Sequence, residues 1–62
     1  KEVVPTFYVV ADDGLKVEFE NTTYDLNDGE NKVLSIIIKG GENKLTFTGN
    51  GKVSIDYKGG ML

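Results

Sequence analysis

A chain of 62 residues with 39% apolar side chains, no cysteine and no histidine has room for one domain, held by apolar packing, since disulfides and ordinary zinc sites are excluded. The same omissions rule out nucleophilic triads of the Ser-His-Asp or Cys-His kind. Seven basic residues, all lysine, are scattered among ten acids for a net charge of −3, so the clustered cationic surface that nucleic acid or an anionic membrane requires is missing.

In chain order, the hydrophobic period is two nearly everywhere, the mark of half-buried strands. Pro5 cannot donate to a ladder, so the first strand, about 6–11, is an edge strand or begins after it. Asp13-Gly14 then leads into a strand over about 15–20, where Leu15, Val17 and Phe19 share one face and Lys16, Glu18 and Glu20 the other. Asn21 and Thr22 break this from a strand at about 22–26. Asn27-Asp28-Gly29 precedes a strand over about 32–39, and Gly40-Gly41 follows it. The last two strands, about 44–48 and 52–58, flank Gly49-Asn50-Gly51. There Asn50-Gly51 is the strongest hairpin signal, because a type I′ turn needs positive φ at both central residues. Six short strands spaced this way predict an all-β fold: a meander folded into a small antiparallel sandwich or open barrel.

The segment from Lys32 to Lys39 differs from the others. Val33, Leu34, Ile36, Ile37 and Ile38 put apolar side chains on both faces. Such a strand is either central and covered twice, or it lies against another chain. On the second reading Ile36 and Ile38 are partner contacts. One short self-similarity is also present. Gly29-Glu30-Asn31-Lys32 recurs as Gly41-Glu42-Asn43-Lys44, which reads as a shared entry from turn to strand; two copies do not make a repeat architecture.

Candidate chemistry is sparse. The carboxylates fall in turns or on the solvent faces of strands, Glu18 and Glu20 among them, and read as surface charge rather than a hydrolytic pair. Asp25-Leu26-Asn27-Asp28-Gly29-Glu30 has the flavour of a calcium loop, but the glycine is misplaced and Ile36 stands where the closing glutamate belongs. Gly40-Gly41 and Gly59-Gly60 lack the Lys-Ser/Thr and helix start of a phosphate loop. Tyr8, Tyr24 and Tyr57 have rings suited to stacking on sugars. Tyr57 continues the Val53–Ile55 face and is assigned to the core or its edge. Tyr8, opposite Phe7 and Val9, is the one expected to be exposed.

The stretch Gly41-Glu42-Asn43-Lys44-Leu45-Thr46-Phe47-Thr48-Gly49-Asn50-Gly51-Lys52-Val53-Ser54-Ile55-Asp56-Tyr57, with a short tail ending in Leu62, resembles the end of siphophage distal tail proteins. Upstream, Pro5-Thr6-Phe7, Leu15–Phe19 and Tyr24-Asp25-Leu26 are similar to the strands that precede that ending. The resemblance implies a galectin-like C-terminal β-sandwich that attaches receptor-binding or adsorption proteins at the tail tip. It implies other tail or baseplate proteins as partners, a homo-oligomeric ring for the full-length parent, and the virion tail, assembled in the host cytoplasm, as location. No catalytic residue or cofactor comes with it.

The expectation is therefore a non-enzymatic, structural domain over 1–62, the C-terminal fragment of a larger chain, with Tyr8, Ile36 and Ile38 as candidate contacts. The alternative is a small carbohydrate-binding module of a larger bacterial surface protein or hydrolase, with cell-surface carbohydrate as its ligand. Neither involves nucleic acid or membrane insertion.

Overall fold

A computed structural model of the chain describes residues 2–57. It contains six strands: β1 (Thr6–Val10), β2 (Leu15–Phe19), β3 (Thr22–Leu26), β4 (Gly29–Lys32), β5 (Thr46–Thr48) and β6 (Lys52–Asp56). They form two antiparallel three-stranded sheets, ordered β4-β1-β6 and β3-β2-β5. The small all-β fold of about six short strands is as the sequence predicts.

The period-two pattern translates directly into burial. In β2, Leu15, Val17 and Phe19 are buried while Lys16 and Glu18 face water. In β1, Phe7 and Val9 are buried while Tyr8 and Val10 are exposed. The two inner faces meet, and the Phe7 ring approaches Phe47 of the opposite sheet edge-on, with centroids 6.0 Å apart and planes at 69°, a favoured aromatic geometry. Each fully buried large side chain in this core stabilises the fold by roughly 1.5–3 kcal/mol relative to exposure.

The connectivity is not a meander. Only β2 and β3 are consecutive in the chain and paired in one sheet. The links β1–β2, β3–β4 and β5–β6 all cross from one sheet to the other, and all three lie at the same end of the sandwich. Because β3–β4 and β5–β6 are short links, β3 and β4 edge one flank and β5 and β6 the other. The type I′ turn is also elsewhere than at Asn50-Gly51. It is formed by Glu20 (φ 50°) and Asn21 (φ 67°) between β2 and β3, and no positive φ occurs at Asn50. Gly49-Asn50-Gly51 is a sheet-to-sheet link. Glycine is needed at position 51 for a second reason: a Cβ there would stand 2.6 Å from both the Val10 carbonyl oxygen and the Ala11 Cβ.

The strand expected at 32–39 is not formed. The chain pairs earlier, with Gly29–Lys32 forming β4 against Val9–Thr6. Continuing that register would set Val33 opposite Pro5, which has no N–H to give. The ladder stops, and the chain turns over Val33–Ile36, closed by the Ile36 N–H donating to the Val33 carbonyl at 3.0 Å. An isolated antiparallel bridge between Val3 and Ile38 then holds the segment against the chain's N-terminal part, with bonds of 2.9 and 2.8 Å.

The repeated tetrapeptides share a side-chain clamp, although the first is strand β4 itself and the second lies outside any strand. The Asn31 amide accepts from the Asn27 N–H at 2.9 Å and donates to the Asn27 carbonyl at 2.7 Å and the Gly29 carbonyl at 3.1 Å. Asn43 does the same with Lys39 at 3.2 and 2.6 Å and with Gly41 at 3.3 Å. In both loops the glycine has positive φ, which lets the carbonyl two residues before the asparagine turn inward.

Candidate functional site

Three surfaces have enough character to be considered. The first is the outer face of the β4-β1-β6 sheet. Here Tyr8 lies between Glu30 of β4 and Ser54 of β6, and Val10 is level with Lys52. Both are exposed on the central strand, Val10 at 69%. The outer face of the other sheet is polar by contrast, carrying Lys16, Glu18, Thr23, Asp25, Thr46 and Thr48 by register. The ion pair there, Lys16 Nζ to Asp25 Oδ1 at 2.6 Å, is solvent-exposed on both sides, where such pairs contribute little.

The second surface is the crossing end, a recess of about 660 Å³ lined by Asp12, Asp13, Asp25, Asn27 and Asn50 among others. A hydrogen bond from the Ala11 N–H to Asp28 Oδ1 at 3.0 Å ties two of the crossing links together here. No group of three or more histidine, cysteine, aspartate or glutamate side chains among the described residues is arranged to hold a metal ion. The Asp25–Glu30 stretch that resembles a calcium loop is instead the end of β3, the link and the start of β4, with Asp25 and Asp28 turned to the separate tasks just described.

The third is the flank between β5 and β6. The inward side chains of the central strands are buried, but Phe47 of β5 and Val53 and Ile55 of β6 are all half-buried. Leu45 extends this seam, and an apolar recess of about 410 Å³ opens at its end between Ile38, Leu45 and Tyr57. No strand among the described residues pairs with the outer edge of β6.

The residues singled out from sequence do not come together. Tyr8 is exposed, 44% of its surface reaching solvent, on the outer face of β1. Ile36 and Ile38 lie inside the core, 0% and 4% exposed. They are therefore not surface contacts in this fold, because the turn at Val33–Ile36 rotates them inward and presents Leu34 to solvent instead. Tyr57, assigned to the core or its edge, is exposed to the same degree as Tyr8. The residues missed are Val10 and Tyr57, while within the apolar run at 33–38 it is Leu34 rather than Ile36 or Ile38 that reaches solvent. Val10 was available from parity with Tyr8 along β1; Leu34 depends on a turn that the apolar run conceals. No family model, curated protein or solved structure matches the chain.

Proposed function

We propose that this chain is a structural interaction domain of a phage or prophage tail-tip protein, acting in the distal tail or baseplate hub as an attachment point for adsorption or receptor-binding proteins. The observation that carries the reading is the C-terminal segment. Its likeness to the end of siphophage distal tail proteins runs from Gly41 onward, and in the described part it consists of the Asn43-clamped loop, the threonine-flanked strand β5, a glycine-bounded link and the Val53–Ile55 strand β6. Those elements make up the flank where the inward-facing apolar side chains Phe47, Val53 and Ile55 are only half-buried, as attachment to another protein would need. Immunogold labelling of purified phage particles with an antibody against this chain tests it. Label at the distal end of the tail is the expected result, and particles free of label would refute it.

A second reading, a carbohydrate-binding module, draws on the exposed ring of Tyr8 set among polar neighbours on a flat sheet face. Such a platform suits the apolar face of a sugar. The tail-tip reading allows sugar binding without requiring it, and no response to common oligosaccharides is expected in NMR titrations. Shifts that vanish in Tyr8→Ala would favour the module instead.

A further inference from the structure

We infer that Asn50 is a site of spontaneous covalent modification, where the side-chain amide is lost and an aspartyl or isoaspartyl residue takes its place. The inference stands apart from the tail-tip reading and rests on the link between β5 and β6. An asparagine reacts in this way when the backbone nitrogen of the next residue reaches its side-chain carbonyl carbon, and a Cβ on that next residue obstructs the approach. Of the five asparagines, only Asn50 is followed by glycine, which has no Cβ. Asn50 is also exposed and lies outside any strand. Among the described residues, no hydrogen bond engages its side chain or the Gly51 N–H. The other asparagines are placed differently. Asn31 and Asn43 each make three hydrogen bonds through their side-chain amides. Asn21 stands in the type I′ turn ahead of β-branched Thr22, and Asn27 is followed by Asp28.

The reaction needs only water. The Gly51 nitrogen gives up its proton to solvent and bonds to Asn50 Cγ, closing a succinimide ring; the Cγ–Nδ2 bond breaks and ammonia leaves. Water then opens the ring at one of its two carbonyl carbons. Attack at Cγ breaks the new bond and leaves an aspartate on the original main chain. Attack at the Asn50 main-chain carbonyl carbon breaks the old peptide bond instead. The chain then runs through Cγ as isoaspartate and is one methylene longer. Either product adds a carboxylate to the recess that Asp12, Asp13 and Asp25 already line. The isoaspartyl form also changes the link. Its extra carbon enters Gly49-Asn50-Gly51, the whole connection between β5 and β6. Both flanking glycines already press on the body of the fold. A Cβ on Gly49 would stand 2.8 Å from Leu15 Cδ2, and one on Gly51 2.6 Å from the Val10 carbonyl oxygen. The link has no room to take up the added length inward. The start of β6, where Lys52 pairs with Val10, must therefore shift.

Incubation of the whole chain for several weeks in mildly alkaline buffer at physiological temperature, followed by peptide mapping with mass spectrometry, provides the test. The expected result is an amide-to-acid mass gain at Asn50 that accumulates at least about tenfold faster than at any other asparagine. Asp13-Gly14 and Asp28-Gly29 can close the same ring, but they do so without a change in mass, so the gain reports asparagine alone. It should be absent from Asn50→Ser. Asn50 has no positive φ, so serine suits its backbone; should that variant not fold by far-UV circular dichroism, Asn50→Gln, whose longer side chain closes the ring poorly, is the same control. The isoaspartyl fraction, isolated by ion exchange and marked by isoaspartyl methyltransferase labelling, should melt about 4 °C or more below the parent. Asn50→Asp adds the charge without the extra carbon and should lose less than half as much. An Asn50 that keeps its amide, faster conversion at another asparagine, a mass gain that persists in the control, or an isoaspartyl form that melts with the parent or with Asn50→Asp would each overturn the inference.

Discussion

The segment Val33–Ile38 provides a direct test of how this small fold is held together. Ile36 is completely buried, whereas Leu34, two residues earlier, is 73% exposed. Neither lies in a strand, so any difference between them comes from burial rather than from sheet pairing. Truncating a buried isoleucine to alanine costs about 2–5 kcal/mol, the transfer term plus the cavity left behind. A domain of 62 residues has about 3–9 kcal/mol in total, at the usual stability per residue. At the middle of both ranges Ile36→Ala is therefore expected to remove about half of the stability, and Ile36→Val, at about 0.5–1.5 kcal/mol, to leave a measurable folded state. Leu34→Ala should stay within about 0.5 kcal/mol of the parent. Urea denaturation followed by far-UV circular dichroism reads all three. With each kcal/mol worth about 4–8 °C at this size, thermal melts should separate Ile36→Val from Leu34→Ala as well. Equal losses at the two positions, or a neutral Ile36→Val, would show that Ile36 does not plug the core.

Three further outcomes follow from the crossing links and the clamped loops. Gly51→Val should destabilise the domain by about 1–3 kcal/mol through collision with Val10 and Ala11, which a lowered melting midpoint would register; an unchanged midpoint would mean the link can move aside. Asn31→Asp should be at least as harmful as Asn31→Ala, about 1 kcal/mol, because it loses the amide donor and turns an oxygen toward the Asn27 and Gly29 carbonyls; comparing urea midpoints of the two variants checks this. Asp28→Ala should expose the Ala11 N–H, seen as faster hydrogen exchange at that amide, while Asp28→Asn, which keeps the acceptor oxygen, should retain most of its protection.

Strand positions and faces were largely legible in the sequence. For β2 and β3 the alternation of apolar and polar side chains identifies both the extent and the inward residues, whereas in β1 the outward Val10 is apolar and hides the alternation. What alternation cannot encode is the partner. Phe47 and Val53 both point inward, but they do so from opposite sheets, and a short glycine-rich link fits a hairpin and a crossing equally well. Hence Asn50-Gly51 read as a hairpin, while the true type I′ turn at Glu20-Asn21 carries a glutamate that no turn rule selects. The run at 33–38 was opaque for a related reason. Its inward residues Ile36 and Ile38 do keep the period of two, but Leu34, of the same parity, points outward because the turn resets the phase. The information that decides this lies far off in the chain, in Pro5, which ends the β1–β4 ladder. For the site, Tyr8 was legible from parity with Phe7 and Val9. Ile36 and Ile38 were not, since an apolar run looks the same whether it covers a core or awaits a partner.

The two ends and the two flanks of the sandwich are closed by different means, and this places its weakest point. At the crossing end, backbone approaches backbone, and Gly14 and Gly51 leave no room for a side chain against the Leu26 and Val10 carbonyls. At the far end, side chains do the sealing: Val3, Ile36 and Ile38 are all buried there. The flank of β3 and β4 is covered in part by Leu26, which is nearly inaccessible. Only on the flank of β5 and β6 is every inward side chain, Phe47, Val53 and Ile55, left half-buried. Whatever binds there removes from water apolar surface that folding alone leaves exposed, and so stabilises the native state by mass action. If the occupant is a second copy, the melting midpoint should rise with the concentration of the chain itself. A midpoint independent of concentration would leave the flank to a different protein.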